Sequence, residues 1–120
     1  MTVEKHCEII AEIGQNHNGD MHLAKELIHA AAENGADIAK FQLFNAKQLF
    51  PSVEDGNEWY DYNCSTELSK DDLHTLVEEC AKYKIEFMSS AFDIERVRWL
   101  EDVNVKRHKL ASRSIDDKGL

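Results

Sequence analysis

Short apolar runs alternate along this chain with stretches whose apolar residues recur at helical spacing. The first run, Cys7-Glu8-Ile9-Ile10-Ala11-Glu12-Ile13, is bounded by the turn-rich Gly14-Gln15-Asn16-His17-Asn18-Gly19 and reads as a buried strand. From Met21 to Asn34, Leu23, Leu27, Ala30 and Ala31 share a helix face, with Asp20 placed to cap its start and Gly35 to stop it. Ile38-Ala39-Lys40-Phe41-Gln42-Leu43-Phe44 gives a second strand, apolar on one face and mixed on the other. The polar, aromatic stretch from about Asn45 to Leu68 has no clear period and is expected to be a long loop. Ser69-Lys70-Asp71-Asp72 then has the form of a capping box, with Asp in the usual Glu/Gln position. Leu73, Leu76, Val77 and Cys80 follow at i, i+3, i+4 and i+7. Ile85 to Ser90 predicts a third strand, Ile94, Val97 and Leu100 a short helix, and Val105 to Ala111 a fourth strand.

The predicted order is β-α-β-α-β-α-β, which favours parallel pairing through helical crossovers. Two α/β architectures satisfy it: a doubly wound open sheet, or part of a TIM-type (β/α)8 barrel. No GxGxxG turn follows a strand, which removes the simplest dinucleotide-binding version. No repeat or low-complexity tract competes with this reading.

Composition narrows the class further. Across 120 residues, 14 Lys+Arg against 23 Asp+Glu leave a formal charge of −9, with 42% apolar and 31% charged residues, as in a soluble globular chain. An acidic chain without a basic cluster is not expected to bind nucleic acid. No apolar run nears the roughly 20 residues of a membrane span, and no secretory leader pattern precedes the first motif. Cys7, Cys64 and Cys80 share no CxxC spacing and read as reduced, cytoplasmic thiols in packed positions. A single Pro and five Gly give no internal domain boundary.

Strands buried on both faces should be nearly all apolar, yet each of these breaks the rule near its carboxyl end. Glu12 closes the first, Lys40 and Gln42 sit two apart on the second, Ser89 and Ser90 end the third, and Lys109 and Ser112 finish the fourth. Alternation puts Lys40 and Gln42 on one face, opposite Phe41 and Leu43. Ligands of parallel α/β folds bind at that end of the strands. Two ammonium groups with several hydroxyls can hold a phosphate or carboxylate, while Glu12 can orient a lysine or a substrate hydroxyl. Structural readings remain for each: Glu12 as an ion-pair partner, Lys109 as part of the basic run Lys106-Arg107-His108, and the serines as ordinary strand ends. His17 could touch substrate or hydrogen-bond its own turn. His6, His22, His29, His74 and His108 have no HExxH or clustered ligand spacing. Trp59, Tyr60 and Tyr62 could form a lid or pack against the body.

Taken in order, Ala11-Glu12-Ile13-Gly14-Gln15-Asn16-His17-Asn18-Gly19, Lys40-Phe41-Gln42, Phe87-Met88-Ser89-Ser90-Ala91-Phe92-Asp93 and His108-Lys109-Leu110-Ala111-Ser112 resemble the sialic acid synthase family, which includes legionaminic and pseudaminic acid synthases. The resemblance runs from about Glu8 to Asp117. It implies a TIM-barrel domain that condenses phosphoenolpyruvate with an open-chain N-acylated amino sugar such as N-acetylmannosamine, giving a nonulosonic acid and phosphate. It implies a divalent metal, manganese or magnesium, whose ligands lie outside this chain, and a homodimer in the complete enzyme. By position, Glu12, Lys40 and Gln42 match catalytic or orienting residues, and Ser90, Lys109 and Ser112 match substrate-binding ones. Ser114 stands where some members carry glutamate, and Ala111 and Arg113 where some carry glycine, departures that bear on sugar specificity.

A complete barrel typically needs about 250 residues, so residues 1–120 are expected to be its N-terminal portion, without the second barrel half or the family's antifreeze-like domain, and inactive alone. Two other functions fit the residues: a stand-alone half-barrel that binds or assembles without turnover, and a Schiff-base aldolase using Lys40 or Lys109.

Overall fold

The structure is a computed structural model that describes residues 6–50 and 57–120. Three parallel strands, β1 (Ile10–Gly14), β2 (Ile38–Leu43) and β3 (Glu86–Ala91), form one sheet in the order β1-β2-β3. Helix α1 (Met21–Glu33) connects the first pair. Between β2 and β3 lie α2 (Ala46–Leu49), α3 (Glu58–Thr66) and α4 (Lys70–Lys82), and α5 (Ile94–Asp102) follows β3. A short 3-10 turn spans Ser112–Ser114.

Local chemistry fixes the helix starts. Asp20 accepts the backbone N–H groups of His22 and Leu23, and Gly35 takes a left-handed φ of +86° just past α1. At α4 both halves of the capping box form: Asp72 N–H donates to Ser69 Oγ at 3.0 Å, and Ser69 N–H to the Asp72 carboxylate at 2.9 Å.

The core decides between the two architectures. Ala39, Phe41, Leu43 and Phe87 pack with Ala24 and Ile28 of α1, Leu73 and Leu76 of α4, and Leu100 of α5. Phe41 and Phe87 stack with ring centroids 5.6 Å apart. These three helices therefore cover one face of the sheet, while the opposite face carries Glu12, Lys40 and Gln42. A doubly wound sheet has helices on both faces; a barrel wall has them outside only. The one-sided cover is that of a barrel wall.

Three sequence expectations are corrected. The first strand starts at Ile10 rather than Cys7; ahead of it, the Ile9 N–H donates to the Asp37 carboxylate and the Ile9 carbonyl accepts the Asp37 backbone N–H, and Cys7 is exposed. The stretch predicted as loop contains α2 and α3, capped by Asn45 and Asn57 side chains; its residues 51–56 lie outside the described residues. The fourth strand shrinks to one parallel bridge between Ser90 and Lys109. Two of its side chains engage carboxylates: Arg107 forms ion pairs with Glu8 and Glu86, and His108 hydrogen-bonds Glu101. The segment runs along the outer edge of β3 and pairs with it at that bridge alone among the described residues.

Candidate active site

Register alone brings the polar residues of β1, β2 and β3 together. Glu12 lies opposite Lys40, and Gln42 opposite Ser90. The Lys40 ammonium donates to Glu12 Oε2 across the sheet. Lys40 is the buried partner, with 11% of its side chain exposed against 53% for Glu12. That asymmetry suits a lysine held in place by a carboxylate that solvent still reaches. The strand register slips between Glu12 and Gly14, where Gly14 turns to a φ of +54°. A methyl group at Gly14 would sit 3.5 Å from Glu12 Oε1 and 3.6 Å from Gln42 Nε2, so both side chains flank this residue.

The serines separate. Ser90 is buried and shares the face of Lys40 and Gln42. Ser89 falls on the helix-covered face with Phe87, and its hydroxyl donates to the Ser90 carbonyl at 2.9 Å. Lys109 is joined to Ser90 by the backbone bridge, while its exposed ammonium donates to the Leu110 carbonyl at 2.8 Å. Ser112 is exposed at the start of the 3-10 turn. Glu12, Lys40, Gln42 and Ser90 thus form a cluster, with Lys109 beside it and Ser112 further along the chain.

His17 belongs to the turn. It is fully buried, and its Nδ1 accepts the Gly19 N–H at 3.0 Å, which leaves the ring proton on Nε2. Burial pushes its pKa below the ordinary histidine value, with the Asp72 charge opposing weakly. Its ring lies 6.2 Å from that of Phe41. Gln15 has a role that the sequence did not signal: its amide donates to Asn63 Oδ1 at 3.0 Å and Thr66 Oγ1 at 2.7 Å, tying the β1–α1 turn to α3. Tyr62 adds a 3.4 Å bond from its hydroxyl to the Gln15 carbonyl, whereas Trp59 is 75% exposed. The aromatic segment is therefore moored through Tyr62, with Trp59 facing outward.

Among the described residues no three His, Cys, Asp or Glu side chains converge as a metal site. Glu12, the one acidic member of the cluster, is engaged by Lys40. This donor set does not fit a divalent cation. The packed positions expected of all three thiols hold for Cys80 alone, which is buried and pushed up to about 12 by desolvation; Cys7, ahead of β1, and Cys64, on the outer side of α3, are exposed.

A parallel wall with helices on one face is that of a TIM-type barrel segment, and it gathers a lysine, an amide and a hydroxyl at the carboxyl end of its strands. Residues 27–120 match the NeuB family. The chain belongs to that family. It is 42% identical over 120 residues to the N,N'-diacetyllegionaminic acid synthase of Legionella pneumophila, covering 91% of this chain and 34% of the relative. It is 37% identical to the human N-acetylneuraminate-9-phosphate synthase, covering 88% of this chain and 32% of that protein. A solved N-acetylneuraminic acid synthetase from Leptospira borgpetersenii, in complex with citrate, superposes with a TM-score of 0.79 at 33% identity, covering 91% of this chain and 37% of that one. The chain thus spans about a third of the length of these relatives, and its fold is that of the N-terminal part of their barrel.

Proposed function

We propose that the complete protein containing this chain condenses phosphoenolpyruvate with an N-acylated amino sugar of the N-acetylmannosamine type, releasing phosphate and a nonulosonic acid. The observation that carries this reading is the half-buried Lys40, paired with Glu12 and flanked by Gln42 and Ser90, in a member of the NeuB family. In the reaction, carbon 3 of phosphoenolpyruvate forms a bond to the aldehyde carbon of the open-chain sugar. Water then adds to the oxocarbenium-like carbon 2, and the bond from that carbon to the phosphate oxygen breaks.

Each residue has a task set by charge. Lys40, in a part-buried setting where a cation acts strongly on an anion, binds the phosphoenolpyruvate carboxylate. Glu12 fixes the position of the Lys40 ammonium and exposes its second oxygen to a sugar hydroxyl. Gln42 orients the sugar, and Ser90, Lys109 and Ser112 donate to the phosphate. A divalent cation, manganese or magnesium, belongs to the proposal with ligands outside these 120 residues; so do the second barrel half, the antifreeze-like domain, a homodimer and a cytoplasmic location. No helix among the described residues is long and apolar enough to cross a membrane.

The test is phosphate release by the intact protein from phosphoenolpyruvate and N-acetylmannosamine, or its diacetylated relatives, with manganese present. Lys40→Met should lower kcat/KM by about a hundredfold or more. Phosphate release independent of any amino sugar, or none with all of them, would overturn the reading.

A further inference from the structure

A hollow of about 170 Å3 opens beside the cluster's end of the sheet, lined by Asn45, Gln48, Phe92, Asp93, Arg113 and Ser114. Asn45 follows β2 by two residues, Phe92 follows β3 directly, and Arg113 lies in the 3-10 turn beyond Lys109. The lining is therefore drawn from carboxyl ends of the strands, the side on which Glu12, Lys40 and Gln42 gather.

Among the described residues its charge is unbalanced. Arg107 is neutralised by Glu8 and Glu86, and Arg96 by Asp93. Arg113 has no carboxylate partner among the described residues. Its guanidinium lies 5.6 Å from the centroid of the Phe50 ring and donates a long 3.5 Å bond to the Leu49 carbonyl. Those contacts hold its plane in place without cancelling its charge. The opposite wall offers Asp93, but that carboxylate already caps α5 and pairs with buried Arg96 at 3.3 Å. Around Arg113 stand donors with no acceptor among the described residues. Asn45 uses its carbonyl oxygen to cap α2, and among the described residues neither its amide nitrogen, nor the Gln48 amide, nor the buried Ser114 hydroxyl has a hydrogen-bond partner.

A guanidinium that meets no carboxylate among the described residues, with amide and hydroxyl donors around it, has the chemistry of oxyanion recognition. We propose that this hollow is an anion subsite, with Arg113 as its specificity-determining residue, taking a phosphate or carboxylate group of a small polyhydroxy ligand. That the ligand is a substrate rests on the proposed condensation; the binding of an oxyanion by Arg113 does not. The relatives include synthases of a 9-phosphate and of an unphosphorylated acid. An anion-reading residue at this position is the kind of difference that would sort such ligands.

The test is a titration of the intact protein followed by the side-chain NMR signal of Arg113. Inorganic phosphate should shift that signal saturably, and Arg113→Gln should weaken phosphate binding at least tenfold, with partial recovery in Arg113→Lys. Arg98→Gln, on the exposed side of α5, should leave affinity within twofold. Phosphoenolpyruvate and N-acetylmannosamine 6-phosphate, titrated separately, distinguish the source: the ligand whose affinity falls tenfold in Arg113→Gln is the one the subsite reads. No shift with any of the three, or equal affinities in wild type and Arg113→Gln, overturns the subsite. Loss of phosphate release from the intact protein alongside an intact Arg113 shift would count against the condensation and leave the subsite standing.

Discussion

Gly19→Ala is a sharp test of how the β1–α1 turn is built. Gly19 has a φ of +78°, and an alanine methyl there would lie 2.2 Å from the Ser65 carbonyl oxygen in the last turn of α3. That is about 0.8 Å closer than real Cβ atoms approach, and the obstacle is backbone. Relief requires α3 to back away from the turn, which stretches the bonds from Gln15 to Asn63 and Thr66. The left-handed backbone costs about 1–2 kcal/mol for alanine, forced displacement about 1–3, and a weakened hydrogen bond about 1. Together they predict a loss of about 3–6 kcal/mol, a large part of a typical domain's stability. Gly35→Ala is the internal control, since Gly35 has a φ of +86° but nothing within 4 Å of the added methyl. Both changes carry the same backbone penalty and the same small gain from a stiffer unfolded chain, so their difference isolates the collision with Ser65. Urea midpoints with unchanged m-values should place Gly19→Ala at least about 2 kcal/mol below Gly35→Ala. A gap under about 0.5 kcal/mol would refute the account of the turn.

Four further outcomes follow from the same structure. Glu12→Gln should leave the protein folded and lower kcat more than it raises the KM for phosphoenolpyruvate, because Lys40 keeps its charge but loses its fixed position; a stability change without a kinetic one would make the pair purely structural. Borohydride with pyruvate should label neither Lys40 nor Lys109, since the Lys40 amine is engaged by Glu12 and Lys109 by the Leu110 carbonyl; a labelled lysine would favour aldolase chemistry. Native thiol titration should modify Cys7 and Cys64 and spare Cys80, whose thiol sits at about 12, until the protein unfolds; fast modification of Cys80 would contradict its burial. Acid should destabilise the fold in two stages. Burial holds His17 below the ordinary 6.5, so the unfolded chain binds that proton more tightly, and stability present above that pH declines as pH falls through it. The Arg107 bond holds Glu86 below the ordinary 4.5, which adds a second loss below that value. Urea unfolding across pH should show both, with His17→Gln flattening the first; rising stability from pH 7 to 5.5 would refute the assignment.

What the sequence made legible was local or periodic. Asp20, Ser69 and Asp72 announce helix starts because a capping side chain needs only its own neighbours. Lys40 and Gln42 share a face because strand alternation is rigid, and the same rule, applied one residue further, separates Ser89 from Ser90. Periodicity alone leaves open sheet and barrel wall both standing; the resemblance of the motifs points to the barrel, and the helices on one face of the sheet bear it out. Helix α3 went unread because Trp59, Tyr60 and Tyr62 carry no helical apolar stripe; Asn57 followed by Glu58 was the available signal, an N-cap with an acidic first turn. The fourth strand was over-read because Val105 to Ala111 has strand composition, while pairing depends on a neighbouring edge.

The motif that runs from the end of β1 into the β1–α1 turn divides along the same line. Its first half faces the cluster: Glu12 holds Lys40, and Gly14 lets the backbone slip between the Glu12 and Gln42 side chains. Its second half faces away: Gln15 binds α3, His17 is sealed beneath the turn, and Gly19 lies against Ser65. A single run of residues therefore does two jobs, and loss of activity alone cannot tell them apart. Substitutions at Gln15, His17 or Gly19 should lower stability and activity together, with activity recovering at lower temperature as the fold is restored. Substitutions at Glu12 should lower activity at every temperature while the unfolding midpoint stays put. If Gln15 variants behave instead like Glu12 variants, the turn reaches substrate directly, and the boundary between scaffold and chemistry lies later in the motif than the hydrogen bonds of Gln15 indicate.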